Sequence, residues 1–209
     1  MSRLYALVLN ASLKGSPEPS HTEALSDEVL NILKSKGVET KTIRLADYYI
    51  PYGISGDVGK GDEWPIIFEE VQKADIVIIG TPLWLGEKSS LATLAIERLY
   101  GSSGETNASG QAIYYNKVGG VVVTGNEDGA KHASASILYG LSHIGFTTPP
   151  NVDAYWVGEA GPGPSYMDGP GKENAFTKKH VEMLAYNTWH LASFFKARPI
   201  PPEGNTMNK

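Results

Sequence analysis

The sequence predicts an α/β fold, a doubly wound three-layer sandwich in which one five-stranded parallel sheet carries helices on both faces. Three observations predict it. Short, nearly continuous apolar runs recur five times along the 209 residues, as suits strands covered on both faces. Amphipathic helical patterns separate the runs, and strands alternating with helices form crossover units with parallel pairing. No shift of composition and no internal repeat marks a second domain. A chain of this length buries roughly 70 to 75% of the surface its unfolded form exposes, so no disulfide or structural metal is needed.

The elements follow in order. Leu4-Tyr5-Ala6-Leu7-Val8-Leu9 is the first buried strand. Ala24, Leu25, Val29, Ile32 and Leu33 then recur at spacings of three and four, one stripe of a helix. Residues 38–45 alternate, with Val38, Thr40 and Thr42 against Lys41 and Arg44, the pattern of a strand at or near the sheet's edge. A helix over 64–73 precedes Ile76-Val77-Ile78-Ile79, a fully buried third strand. Leu91, Leu94, Ala95, Ile96 and Leu99 mark the next helix, residues 118–123 the fourth strand, residues 133–144 a helix and residues 152–157 the fifth and weakest strand. An amphipathic helix over about 174–196 closes a domain expected to span residues 1–198. Residues 199–209 are expected to be a flexible tail. Gly- and Pro-rich stretches at 51–61, 101–110 and 158–171 read as surface loops. Two doubly wound strand orders accommodate this pattern, and 2-1-3-4-5 is the expected one. In either, ligands bind beyond the carboxyl ends of the strands where the winding reverses, which singles out the loops after strands 1, 3 and 4.

Composition excludes several kinds of chemistry. Without cysteine there is no disulfide, thiol nucleophile, cysteine-ligated zinc or cysteine-held iron–sulfur cluster. A net charge of −5 with no clustered Lys/Arg stripe argues against nucleic acid, leaving a small molecule as the expected partner. Met1, Ser2 and Arg3 lead into an apolar run of about seven residues, too short for a signal peptide. Nothing approaches the ~20 apolar residues of a membrane span, so no membrane association and a cytoplasmic location are expected.

Each of the three loops admits a structural and a functional reading. The first, from Asn10 through Ser12, Lys14, Ser20 and His21 to Thr22, is rich in hydroxyls and feeds a helix N-terminus. Unpaired N–H groups and the positive end of the helix dipole there suit a phosphate monoester. Ser20 or Thr22 would serve equally as a plain N-cap. No G-x-x-x-x-G-K-[ST] or G-x-G-x-x-G is present, which excludes the familiar triphosphate and dinucleotide sites. The second loop, Thr81-Pro82-Leu83-Trp84-Leu85-Gly86-Glu87-Lys88-Ser89-Ser90, offers an aromatic to a planar ring, or a tryptophan that covers the sheet's end. The third, Thr124-Gly125-Asn126-Glu127-Asp128-Gly129-Ala130, is a glycine-bracketed turn whose amides face a ligand, or a capped turn. His132, in the following first turn, either touches a ligand or is solvated. All three loops fall on one edge of one sheet, and a single site explains that better than three accidents.

These three segments resemble the flavin loops of the NADPH-dependent FMN reductase and NAD(P)H quinone reductase branch of the flavodoxin-like flavoproteins, over about residues 3–157. The resemblance implies a flavodoxin-like fold binding flavin mononucleotide (FMN). Ser12, Ser20, His21 and Thr22 would contact its phosphate, with Lys14 beside them. Thr81, Pro82, Leu83, Trp84, Leu85 and Gly86 would line the ring and ribityl chain. Thr124, Gly125, Asn126, Glu127, Asp128 and Gly129 would contact the isoalloxazine. Residues 15–19 make the first loop longer than in many relatives, and the cysteine motif of iron–sulfur flavoproteins is absent.

The implied activity is ping-pong hydride transfer through flavin N5, from NADPH or NADH to a small-molecule acceptor, a quinone or flavin, in a homodimer or homotetramer. Such chemistry belongs to the cofactor, so no catalytic side chain is assigned and no metal site is expected. The shape above the ring would come from Tyr48, Tyr49 and Tyr52 or from the 158–171 loop, although the tyrosines fit ordinary packing equally well. Two alternatives remain. A flavodoxin-type one-electron carrier usually presents a strongly acidic docking face, and 23 acidic against 18 basic residues is a weak excess. A non-catalytic flavin-binding module would not need the aromatic loop.

Overall fold

In the computed structural model, which describes residues 3–161 and 163–207, side-chain alternation decides which face of the sheet each strand serves. Met1 and Ser2 of the opening segment, Pro162 of the 158–171 loop and the last two residues of the tail lie outside the described residues. In β1 (Tyr5–Asn10), Leu7 and Leu9 point into one core and Ala6 and Val8 into the other, all four fully buried. A large aliphatic side chain buried this way contributes about 1.5 to 3 kcal/mol. The first core is completed by α2 (Trp64–Lys73), α3 (Ser90–Gly101) and α4 (Ala130–His143). The second is completed by α1 (His21–Ser35) and α5 (Ala175–Ala197).

Strands β2 (Glu39–Arg44), β3 (Ile76–Trp84), β5 (Val118–Gly125) and β6 (Asp153–Val157) join β1 in the parallel order β2-β1-β3-β5-β6. Counted without the short β4, this is the expected 2-1-3-4-5. The reversal of winding lies between β1 and β3, and β1 ends at Asn10 opposite Gly80.

One expectation is corrected. The third strand does not end at Ile79. Thr81 and Leu83 are still buried, so packing carries the strand on to Trp84, and the chain then folds back as β4 (Glu87–Lys88), antiparallel to β3. Leu85 and Gly86 make the two-residue turn with φ +54° and +77°, the left-handed pair that matches hairpin twist. The predicted second loop is therefore a sixth strand and a hairpin. Within residues 199–207, Ile200 N donates to Asn116 Oδ1 at 2.6 Å and Met207 N to Gly110 O at 2.8 Å, so the segment lies along residues 110–116. Among the described residues, no helix is long and apolar enough to cross a membrane.

Candidate functional site

The first loop is held open by its own hydrogen bonds. Asn10, at the end of β1, accepts the Ser12 amide at 3.0 Å and donates to Ser20 Oγ at 3.3 Å, bringing the two ends of the loop together. Ser20 caps α1 by accepting the Glu23 amide at 3.1 Å, which starts the helix at His21, ahead of its apolar stripe. From the neighbouring β2, Arg44 pairs with Glu23 and donates to the carbonyls of Gly15 and Glu18. Asp47 accepts both the amide and the hydroxyl of Ser16, and these bonds hold its carboxyl below the usual range. Neither Arg44 nor Asp47 was singled out from the sequence, because both reach the loop from about thirty residues away.

Proton counting shows what this loop is suited to bind. The His21 and Thr22 amides make no hydrogen bond within the described fold, as expected of a first helical turn. Ser12 and Ser20 are buried and accept, yet neither hydroxyl proton has an acceptor among the described residues. The Thr22 and Thr124 hydroxyls lie 2.7 Å apart and share one bond between two protons. With Lys14 alongside, this end of the site is a set of donors in want of an anionic oxygen, and a phosphate monoester fits it.

At the other end, the β3–β4 hairpin packs on the third loop. Leu85 N donates to Glu127 Oε1 at 2.8 Å, which fixes the strained leucine, and a Cβ on Gly129 would stand 2.2 Å from Gly86 O. Gly129 has φ +119° and caps α4. Leu85 is 95% exposed and Trp84 is 56% exposed at the rim.

Between these ends lies a cavity of about 480 Å³, within the range typical of small-molecule sites. Of the predicted residues, Ser12, Lys14, Ser20, His21, Thr22, Pro82, Leu83, Trp84, Thr124, Gly125, Asn126 and Glu127 line it. Thr81, Leu85, Gly86, Asp128 and Gly129 do not. Thr81 Oγ1 accepts the Ser89 amide and donates to Pro82 O, and the other four build the hairpin–loop contact. His132 lies off the cavity, 2.9 Å from Glu87 Oε2. Tyr49 and Tyr52 are exposed, and Tyr48 packs against the core; none of the three lines the cavity.

The remaining wall comes from Leu13 and Pro19 of the first loop and from Gly161, Ser165 and Tyr166 of the 158–171 loop. This last segment folds back over the N-terminus of α1. Tyr166 is buried and donates to Glu28, Met167 N donates to His21 Nδ1 at 3.2 Å, and Asn126 Nδ2 donates to Gly163 O at 2.6 Å. Burial, then the Glu28 carboxylate, pushes the Tyr166 phenol up. Because Nδ1 of His21 accepts, its ring proton sits on Nε2, 3.7 Å from Asp168.

Residues 6–160 match the family described as NADPH-dependent FMN reductase. The chain belongs to that family. That description names FMN, and the donor set and cavity of this chain suit that group. Three relatives give the range. A Mycobacterium bovis protein named divalent metal cation transporter MntH is 44% identical over 200 residues, 93% of this chain, which spans only 29% of that protein. The 8-demethyl-8-aminoriboflavin-5'-phosphate synthase of Streptomyces davaonensis is 35% identical over 94% of this chain and 80% of its own length. A crystal structure of RosB with the bound intermediate 8-demethyl-8-formylriboflavin-5'-phosphate superimposes with a TM-score of 0.87 at 36% identity, covering 94% of this chain and 82% of that one. The fold is flavodoxin-like.

Proposed function

We propose that this chain binds FMN in the cavity between the three loops and catalyses hydride exchange between NADH or NADPH and a small-molecule acceptor, a quinone or flavin. The observation that carries the reading is the polarity of the cavity along its length. Spare hydroxyl and amide protons with Lys14 stand at one end, while Pro82, Leu83 and Trp84 stand at the other. Bound there, FMN would supply hydride acceptance and return, chemistry that no side chain of this protein offers. Ser12, Ser20 and the first turn of α1 hold the phosphate end. The hairpin pinned by Glu127 holds the apolar end and excludes water from one side. Exposed Trp84 and Leu85 suit cover by a neighbouring subunit in a homodimer or homotetramer.

Anaerobic stopped-flow mixing of the FMN-loaded protein with NADH and with NADPH tests the reading. Bleaching of the flavin bands by at least one of them, followed by recovery on adding a quinone, is expected. No bleaching within minutes, with rapid bleaching by a low-potential protein donor, would favour the one-electron carrier and overturn it.

A second reading has its own support. The 36% identical structure holds a flavin phosphate altered at its 8-position, and the related synthase is named for such a product. On that reading FMN is the substrate of this protein. Mass analysis of the flavin recovered after aerobic incubation separates the two, since only a substrate leaves with a changed mass.

A further inference from the structure

The hydroxyl pair at the base of the cavity carries one step more. Thr22, in the first turn of α1, and Thr124, at the end of β5, are 102 residues apart in sequence, and their Oγ1 atoms are 2.7 Å apart. Both residues are almost fully buried, at 2% and 3% exposure. Gly80 of β3 makes the approach feasible: a Cβ there would lie 3.0 Å from Thr22 Cγ2, so the missing side chain seats Thr22 deep enough to reach β5. Two hydroxyls carry two protons and their mutual bond uses one. Neither hydroxyl has another partner among the described residues, and both line the cavity. One proton is therefore left over, facing the cavity, with no protein acceptor among the described residues.

We propose that Thr124 is a positioning residue for the phosphate end of the site. Its O–H donates to Thr22 Oγ1, and this turns the Thr22 O–H outward as a fixed donor to a phosphate oxygen of the ligand. The direction follows from the surroundings. Thr22 carries its own free amide, beside that of His21 and the spare hydroxyls of Ser12 and Ser20, so the anionic oxygen gathers at Thr22. Thr124 sits one bond further back. A chain of two hydroxyls ending on an anion is polarised in one direction, and low local dielectric strengthens it. The resemblance read from the sequence sets Thr124 against the flavin ring, and its place beside Pro82 in the sheet allows that, but the 2.7 Å bond to Thr22 ties its hydroxyl to the first turn of α1.

This inference rests on the cavity being the FMN site, and the experiment separates the two. The full chain, freed of flavin, is titrated with FMN and with riboflavin by fluorescence quenching, and inorganic phosphate is added as a competitor. Thr22→Val, Thr124→Val, Thr124→Ser and the Thr22→Val/Thr124→Val pair are compared, with thermal unfolding as a check on folding. A bond to a charged oxygen makes Thr22→Val lose roughly ten- to a hundredfold in FMN affinity. Thr124→Val is expected to lose about three- to tenfold, because the donor survives but is no longer aimed. Riboflavin affinity stays within about twofold in both, Thr124→Ser recovers wild-type affinity, and the pair is no worse than Thr22→Val alone, since Thr124 acts only through Thr22. Competition by inorganic phosphate weakens in the same order.

Equal losses for FMN and riboflavin, a larger loss in Thr124→Val than in Thr22→Val, additive losses in the pair, or no loss at all would each overturn the proposal. A merely structural role would lower the unfolding temperature without changing the preference for FMN over riboflavin. If the wild-type chain binds neither flavin, or binds both equally, the FMN reading itself fails whatever the variants do.

Discussion

Replacing Gly129 by alanine tests whether the β3–β4 hairpin and the loop after β5 act as one body. In the native chain Gly129 caps α4 at φ +119°, and a Cβ built there lies 2.2 Å from Gly86 O and 2.6 Å from Gly86 C and Cα. Ordinary contact for a Cβ is 3.4–4 Å, so the hairpin turn must retreat by more than an ångström. All three opposing atoms are backbone, and no rotamer change relieves them. The unfavourable φ alone costs about 1 to 3 kcal/mol for alanine. Retreat of the turn also breaks the Leu85 N–H to Glu127 bond, worth about 1 kcal/mol. A loss of about 2 to 4 kcal/mol follows, which for a chain of this size lowers the unfolding temperature by roughly 5 to 15 °C. Leu83 and Trp84 move with the hairpin, so FMN affinity is expected to fall by about tenfold or more, a loss of ~1.4 kcal/mol. Circular dichroism melts and flavin titration measure both effects. Gly104→Ala is the control, since a Cβ there meets nothing within 4 Å. A Gly129→Ala protein that melts with the wild type and binds FMN equally well would refute the coupling.

Arg98→Met should cost about 3 to 5 kcal/mol in a urea titration, because it strands the buried Asp62 carboxylate and the carbonyls of Pro51, Ser55 and Gly56. Adding Asp62→Asn should recover part of that loss by removing the unpaired charge, and a double variant no better than the single would count against the ion pair as the cause. Glu70 titrates at about 2, held down first by Lys73 and then by the Tyr5 hydroxyl. Its folded value lies below the unfolded one, so its contribution is complete above about pH 4.5 and is lost as pH falls towards 2. Glu70→Gln should accordingly flatten the stability–pH curve in that window, and an unchanged acid limb would show that other groups set it. Thr22→Glu reads from the sequence as a fold-neutral probe of the phosphate site, but Thr22 is buried and bonded to Thr124, so the exposed Lys14 is the better position. Lys14→Glu should weaken FMN and leave riboflavin unchanged, with the difference shrinking as salt is added; salt-independent weakening would exclude a charge effect.

Local signals account for what was legible in advance. Four of the six strands announced themselves as buried apolar runs and β2 as an alternating edge strand, and the caps Ser20 and Ser89 stand where hydroxyls precede helical stripes. Strand order followed from the economy of crossover connections and from little else. The short β4 was invisible, because Glu87 and Lys88 carry no strand pattern and pair only by virtue of a turn with a leucine at φ +54°. The 158–171 loop looked like a surface loop by its glycines and prolines, yet Tyr166 is almost fully buried against α1. A lone aromatic among turn residues was the one available sign.

By itself the sequence determined the α/β architecture, the absence of thiol chemistry and the three segments that share the carboxyl edge of the sheet, because each depends on periodicity, capping or composition within about twenty residues. Only the tertiary structure decided which side chains of those segments face the cavity. Thr81 turns into the fold while Thr124 turns towards Thr22, and nothing in their neighbours distinguishes them. It likewise decided that Arg44 and Asp47 brace the first loop and that Tyr166 closes the last wall. The physical reason is that hydrogen bonds and packing contacts are made between chain segments far apart in sequence, and their partners exist only once the sheet has brought its loops together.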